Sequence, residues 1–398
     1  MVRRHLETAL KAAAKSYPVI TLTGPRQSGK TTLARMLFGK HRYVSLETPD
    51  DREFALDDPR GFLNQFNGGV ILDEVQRVPD LLSYIQGLVD EKEDPGRFIL
   101  TGSQNFLLLE HVTQSLAGRT AIFHLLPFSR AELNARKSLS LEDIGRKLPR
   151  RPIADSNLFE VLLAGFYPRI HDKKLEPQDW LRNYYQTYIE RDVRSITNIG
   201  DMETFSRFVR LCAGRSGQLL NLSSLGADCG VSNATAKRWL SVLEASFIVY
   251  LLRPHHANFG KRLVKSPKLY FLDTGLLCYL LRIRSAEELA THSSRGPVFE
   301  NFVLAELLKT YLNQGLEPDL HFWRDSTGHE VDLLIERGSE CVPIEVKSGE
   351  TVASDFFKGL EYWRSLAGQE NCANALVYGG ERSTKRTGSV IYSWRDWL

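Results

Sequence analysis

Residues 24–31 read GPRQSGKT, a G-x-x-x-x-G-K-[ST] run that follows an apolar stretch at 18–24 and opens the amphipathic stretch TTLARMLF. A strand entering and a helix leaving is the context in which this pattern binds phosphate. Gly24 and Gly29 let the backbone wrap an anion, so that the N–H groups of Pro25-Arg26-Gln27-Ser28 and the helix start at Lys30, Thr31 and Thr32 can face it, proline's own nitrogen excepted. Lys30 supplies a cation for the outer phosphates and Thr31 a hydroxyl for magnesium, so the expected cofactors are ATP and Mg. Downstream, GGVILDEVQ ends an apolar run with Asp73 and Glu74. Carboxylates at the carboxyl end of a buried strand lie where open α/β sheets bind ligands. Asp73 is expected to hold the magnesium through water and Glu74 to polarise the attacking water. The blander reading is an acidic strand end capping the next helix. RFILTGSQN offers Ser103 and Gln104 beside the γ-phosphate, or equally as a helix N-cap.

Two further groups could do chemistry. LSSLGADCGVSNATAKRWLSVLEAS (222–246) reads as a helix–turn–helix, with Gly230 in the turn, Ser232 as N-cap, and Lys237 and Arg238 on the second helix. The following runs, FIVYLLRPHH and SPKLYFLD, suggest a hairpin wing. From 245 to 272 there is no acidic residue, yet Arg253, Lys261, Arg262, Lys265 and Lys268 all occur. Such a basic stretch suits DNA phosphates, with Lys237, Arg238, Lys261, Arg262 and Lys265 as the expected contacts. A wing used only for packing between subunits is the alternative. Near the C-terminus, Asp332 sits on one expected strand and Glu345 and Lys347 on the next, where i and i+2 share a face. Glu300 lies on the helix before them.

The elements that must position these residues alternate in the first third of the chain. Apolar runs at 18–24, 43–47, 69–74, 97–103 and 120–126 are separated by amphipathic segments, as in a parallel sheet covered by helices on both faces. Residues 134–152 are polar, basic and proline-punctuated, so a boundary is expected there. The pattern then turns helical to about 200. The divisions expected are an ATPase domain at 1–133, a linker and helical connector at 134–200, a winged helix–turn–helix at 201–285 and a last domain at 286–398. A chain of 398 residues needs more than one core, and 42% hydrophobic with 25% charged residues is a globular composition. The net charge of +3 is uninformative about nucleic acid. Five scattered cysteines argue against a disulfide framework. With no signal-like or membrane-length apolar run, a cytoplasmic protein is expected.

Taken with their order, residues 18–126 resemble an AAA+-type P-loop ATPase core, with Walker A, Walker B and a sensor-like strand. In that superfamily an arginine closing the helix before the fifth strand often serves a neighbouring subunit. Arg119, in LAGRT, matches that position and implies a homo-oligomer, a ring among the arrangements open; a cation at a helix C-terminus is the alternative. The C-terminal helix–strand–strand–strand–helix–strand order resembles the PD-(D/E)XK nuclease core. The resemblance implies that Asp332 and Glu345 bind a metal, with Glu300 beside them and Lys347 stabilising charge at a scissile phosphate. The whole chain, through YIERDV, LAGR and the FENFV…EVD…EVK series, resembles the prokaryotic AAA-type ATPases with a C-terminal domain of uncharacterised function. The expectation is a DNA-associated ATPase that remodels or translocates DNA, with branched or broken structures as candidates. An ATP-regulated nuclease and a nucleotide-dependent switch for a protein partner are the competing readings.

Overall fold

The first of two sheets is built from runs that bury both faces, and alternate residues supply two separate cores. The computed structural model describes residues 2–103, 115–149, 157–188, 201–255, 264–368, 373–386 and 388–398. They form two compact units, one made of Met1–Phe128 with Ala245–Phe247 and Tyr311–Glu317, the other of the remainder.

In the first unit, α1 (Glu7–Ala13) precedes β1 (Val19–Thr23), α2 (Lys30–Leu37), β2 (Arg42–Ser45), α3 (Pro49–Asp57), α4 (Pro59–Asn64), β3 (Val70–Asp73), α5 (Leu81–Glu91), β4 (Phe98–Gly102) and β5 (Thr120–His124). The strands are all parallel in the order β2-β3-β4-β1-β5. Val70, Leu72, Phe98 and Leu100 point to one face, against Phe62, Leu81 and Ile85. Ile71 and Ile99 point to the other, against Leu33 and Leu10. Every side chain of β3 and β4 is buried, which is why these strands read as continuous apolar runs rather than alternating ones. The same closure forces the polar residues to the strand ends, and Thr23, Asp73 and Thr101 stand at the carboxyl side.

The second unit begins with the short α6 (Arg130–Leu133), followed by α7 (Leu158–Ala164), α8 (Pro168–Lys173), α9 (Pro177–Tyr184) and α10 (Met202–Gly214). Next come α11 (Leu222–Cys229), α12 (Asn233–Ala245), β6 (Val249–Pro254), β7 (Lys268–Phe271), α13 (Thr274–Leu280), α14 (Ala286–Thr291) and α15 (Arg295–Asn313). The chain closes with β8 (Leu320–Arg324), β9 (Glu330–Arg337), β10 (Glu340–Lys347), α16 (Lys358–Ala367), β11 (Ala375–Tyr378), β12 (Thr384–Arg386) and β13 (Ser389–Ser393). Its sheet runs β12-β13-β11-β10-β9-β8-β6-β7. β6 and β7 form the expected antiparallel hairpin, but β6 also pairs in parallel with β8 at Arg253–His321 and Pro254–Phe322. The hairpin is therefore the edge of the C-terminal sheet, and its residues share one compact unit with that sheet.

The segment after 134 also differs from a free linker. Arg337 donates to the carbonyls of Leu141, Glu142 and Ile144, and the Tyr392 hydroxyl meets the carbonyl of Lys147 at 2.9 Å. Two of its apolar residues, Leu141 and Ile144, are buried, while Leu148 is exposed. A polar composition here hides a segment tied down through its backbone carbonyls, which composition does not register. Among the described residues no helix is long and apolar enough to cross a membrane.

Candidate nucleotide site and a second carboxylate cluster

The phosphate-loop sequence folds as a loop between β1 and α2. Gly24 has φ +147°, and a Cβ there would lie 2.2 Å from the Leu125 carbonyl oxygen, so only glycine fits. Gly29 has φ +94° and leads into α2. Gln27, at φ 66°, takes the left-handed conformation between them. Lys30 is buried, and its ammonium donates to the Gly24 and Pro25 carbonyls at 3.0 and 2.9 Å. Burial lowers its pKa to about 8, against the opposing pull of Glu74 and Asp73. The Ser28 hydroxyl is buried without a hydrogen-bond partner. Arg26 lies 3.8 Å from Glu47, and Thr32 is exposed on α2.

Strand pairing brings the remaining residues to this loop. Asp73 Oδ2 accepts from the Thr31 and Tyr43 hydroxyls, both at 2.9 Å, and its Oδ1 accepts from Thr101. Burial and the Asp73 charge push the Tyr43 phenol up to about 12, so it stays a donor to the carboxylate. Glu74 has φ 55°, an uncommon left-handed conformation for a residue with a side chain. Its Oε2 accepts from Ser103 Oγ at 3.0 Å and from Gln76. The structure thus brings Lys30, Thr31, Asp73, Glu74 and Ser103 together, and adds Tyr43 and Thr101, two strand hydroxyls that look ordinary in sequence. Arg4 was also missed. It ties the loop down through Ser28 O at 2.8 Å and Leu126 O at 2.7 Å. Nothing local in the N-terminal sequence marks it.

This arrangement fits a polyphosphate with a hard divalent ion. A buried lysine held by carbonyls, an orphaned buried hydroxyl and a loop that excludes a Cβ at Gly24 form a cradle for an anion. The Thr31 hydroxyl and Asp73 carboxylate are oxygen donors of the kind Mg²⁺ takes. Arg119 stands in the turn after Gly118 and pairs through two nitrogens with Asp90, at 2.5 and 2.9 Å. Gln104 lies outside the described residues.

In the second unit, α11 ends at Gly230 with φ 76°, and the Ser232 hydroxyl accepts from Thr235 N at 3.1 Å to start α12. Lys237 and Arg238 are exposed on α12, and Lys265 is exposed just before β7. Lys261 and Arg262 lie outside the described residues. Lys268, counted with the basic stretch, is a correction: its side chain is 3% exposed and points to Glu300, at 3.2 Å, and Glu330. Charge counting along a chain cannot distinguish a buried lysine from a solvated one.

Lys268 reaches the carboxylate cluster expected near the C-terminus. Lys347 Nζ lies 3.2 Å from Asp332 Oδ2 and 2.6 Å from Glu345 Oε2, and Val346 N donates to Asp332 at 2.9 Å. The Tyr270 hydroxyl donates to Glu300. Burial would raise Asp332, but Lys347 and Lys268 outweigh it and hold this carboxyl below its ordinary value. Burial and the Asp332 charge push Glu345 well above the usual carboxylate range. Burial likewise raises Glu300, partly offset by Lys268. The two acids Asp332 and Glu345 are thus driven apart, the proton favouring Glu345 over Asp332. The helix α16 passes so close that a Cβ at Gly359 would meet Glu345 Oε1 at 2.0 Å. The cluster fits a divalent ion in its donor set, oxygen ligands beside a lysine, although its charge is already compensated internally.

Three family profiles match successive parts of the chain: an AAA domain at 16–134, a domain of unknown function (DUF8612) at 155–287, and a domain of unknown function (DUF4143) at 295–397. The uncharacterised protein Rv2008c of Mycobacterium tuberculosis is 33% identical over 394 residues, covering 98% of this chain and 82% of that protein. An uncharacterised Haemophilus influenzae protein is 24% identical over 294 residues, 69% of this chain and 64% of its own. Among solved structures, the Walker-type ATPase PABY2304 of Pyrococcus abyssi aligns at 13% identity and TM-score 0.44, covering 69% of this chain and 94% of that one. The Thermotoga maritima RuvB Holliday junction branch migration motor aligns at 20% identity and TM-score 0.30, covering 62% and 88%. The parallel five-stranded sheet, the AAA-domain match and the near-complete alignment with the mycobacterial protein agree: this chain belongs to the prokaryotic family of AAA-type ATPases that carry a C-terminal domain of unknown function.

Proposed function

We propose that the chain hydrolyses ATP at the carboxyl ends of β1, β3 and β4 and couples that cycle to DNA, remodelling or translocating it as a homo-oligomer. The observation that carries hydrolysis is Glu74, held by Ser103 and Gln76 beside the Asp73–Thr31 pair. Bound with magnesium, ATP would supply the phosphoanhydride bond that is cleaved. Lys30 and the loop amides bind its phosphates, while Thr31 and Asp73 hold the ion. Glu74 orients water and takes its proton, and Ser103 fixes the direction in which that carboxylate points. Arg119 serves a neighbouring subunit once it leaves Asp90.

The DNA reading is supported by the exposed Lys237 and Arg238 on the second helix of a helix–turn–helix, with Lys265 in the same unit. Lys261 and Arg262 complete the proposed contact set. The proposed divisions remain an ATPase domain, a connector, a winged helix and a nuclease-like domain, the last two sharing one sheet. The test is ATP turnover with and without single-stranded, duplex and four-way-junction DNA, alongside Glu74→Gln. Stimulation by DNA and loss of turnover with retained ATP binding are expected. Turnover indifferent to every DNA would overturn the coupling and favour a switch for a protein partner.

An ATP-regulated nuclease is a second reading, favoured by the convergence of Glu300, Asp332, Glu345 and Lys347. Manganese- or magnesium-dependent plasmid nicking that disappears in Asp332→Ala while ATPase activity persists would establish it. No nicking leaves a binding module.

A further inference from the structure

We infer that the end of β6, where the β6–β7 connection begins, carries a zinc-class metal site, ligated by His255, His321, Glu336 and Cys341. It is independent of the proposed nucleotide and DNA roles. The four residues come from four adjacent strand positions. His255 follows β6 and is fixed by its backbone N–H, which donates to Phe322 O at 2.7 Å. His321 lies on β8 opposite Arg253 of β6. Glu336 of β9 and Cys341 of β10 are direct cross-strand partners, so their side chains share a face.

The donor atoms form a chain of short contacts through Glu336 and His255. His255 Nε2 is 2.7 Å from Glu336 Oε1 and 3.7 Å from Cys341 Sγ. His321 Nε2 is 3.5 Å from the same Glu336 oxygen. Asp319 adds a carboxylate 3.3 Å from His321, and one ligand atom each from Asp319, His321 and Glu336 lies within 4.8 Å of the others. Tetrahedral zinc with bonds of roughly 2.0–2.3 Å sets its ligand atoms about 3.3–3.7 Å apart. The His321–Glu336 and His255–Cys341 separations already lie in that range. The His255–Glu336 hydrogen bond would have to lengthen by about 0.6 Å to reach it, and the four donors, which do not all lie within 4.8 Å of one another, would have to draw together around the ion.

Chemistry selects the metal class. Two imidazoles, a thiol and a carboxylate make a borderline-soft set that suits Zn²⁺, whereas Mg²⁺ and Ca²⁺ prefer oxygen alone. The surroundings hold the ligands in place: His255 is buried and packs edge-on against Trp363 at 5.7 Å, and Cys341 packs into the cluster of Trp323, Val331, Leu334 and Trp363. Four protein ligands leave no open position, so the site is structural. It would fasten β6 to β8, β9 and β10 at the point where the chain leaves the sheet.

The test uses the full-length protein, stripped with chelator and free of nucleotide and magnesium. Zinc stoichiometry is measured by mass spectrometry after repletion, and Co²⁺ is titrated as a spectroscopic probe. We expect one ion per chain, tetrahedral cobalt bands with a thiolate charge-transfer feature, and a raised thermal midpoint with Zn²⁺. Cys341→Ser should abolish the thiolate feature, and His255→Ala should abolish retention. The double variant Asp332→Ala/Glu345→Ala should keep both, which separates this site from the carboxylate cluster. If the histidine variant fails to fold, the cysteine variant and the wild-type spectrum decide alone. No retained zinc, no thiolate band, or unchanged cobalt spectra in Cys341→Ser would overturn the site.

Discussion

The two carboxylate groups of this molecule use the same residue types in opposite ways. At the phosphate loop, Lys30 is held by backbone carbonyls and Asp73 by hydroxyls, so cation and anion never touch. In the C-terminal cluster, Lys268 and Lys347 lie directly on the acids they neutralise. The consequence appears in the lysines. Burial pulls Lys30 down to about 8, whereas the surrounding acids overcome the same burial and raise Lys268 and Lys347. Charges kept apart leave a deficit that a ligand can fill. Charges already joined stabilise the fold without one.

The sharpest way to break this contrast is to remove each lysine. Lys268→Met should destabilise the chain by about 3–5 kcal/mol, because it strands the buried Glu300 without its cation, while Glu330 keeps its pair with Arg324. Lys30→Met should cost the unliganded protein little or nothing, since its buried charge gains no acid partner, yet it should abolish ATP binding. Thermal and urea unfolding of both variants, without nucleotide, decides the matter. Equal losses would erase the distinction.

A smaller effect separates the acids within the cluster. Burial and the Asp332 charge favour the protonated form of Glu345, so Glu345→Gln should cost less stability than loss of the Asp332 charge. Asp332→Asn removes the charge that both lysines face and should cost about 2 kcal/mol or more. Because the folded pKa of Glu345 is raised, its contribution is fully present below the unfolded value, near 4.5, and is lost as pH rises through the folded one. Stability measured from pH 5 upward should therefore fall less in Glu345→Gln than in wild type.

At the nucleotide site the corresponding signature is a proton. Unliganded Lys30 is half neutral at about pH 8, and a bound phosphate would restore its charge. ATP binding between roughly pH 8 and 10 should take up a proton, and affinity should decline as pH rises through that window. Calorimetry in buffers of different ionisation heat reads the uptake directly. Zero uptake would mean that the lysine is already fully charged. The least consequential change for stability is Arg119→Ala, because the Arg119–Asp90 pair is exposed. The thermal midpoint should hold while turnover falls, and mixing with Glu74→Gln protein should restore part of it. Unchanged turnover would leave Arg119 as a surface ion pair.

How much the sequence disclosed follows the same division. A phosphate loop must be continuous in the chain, because consecutive amides do the binding, so its signal was contiguous and its strands were apolar runs. Tyr43 and Thr101 were not legible, since a hydroxyl on a buried strand becomes a carboxylate partner only through the pairing of β2, β3 and β4. The C-terminal cluster was partly visible as Asp332, Glu345 and Lys347. Its other half, Lys268 and Tyr270, comes from a hairpin upstream whose basic stretch reads in sequence as suited to DNA phosphates. The union of that hairpin with the last sheet depends on two residue pairs between β6 and β8, which no local pattern announces.

The pairing of β6 with β8 also bears on how the chain is made. Synthesis runs from the N-terminus at roughly 5–20 residues per second, so β6 and β7 leave the ribosome seconds before β8, β9 and the acids of the cluster exist. During that interval β6 has an unpaired edge, and Lys268 lacks both Glu300 and Glu330. The first sheet faces no such delay, because all five of its strands lie within the first 124 residues. Its folding can finish while the second unit is still being translated. Long-range closure of this kind is intrinsically slow, so the hairpin edge is where misfolding and aggregation of nascent chains should begin.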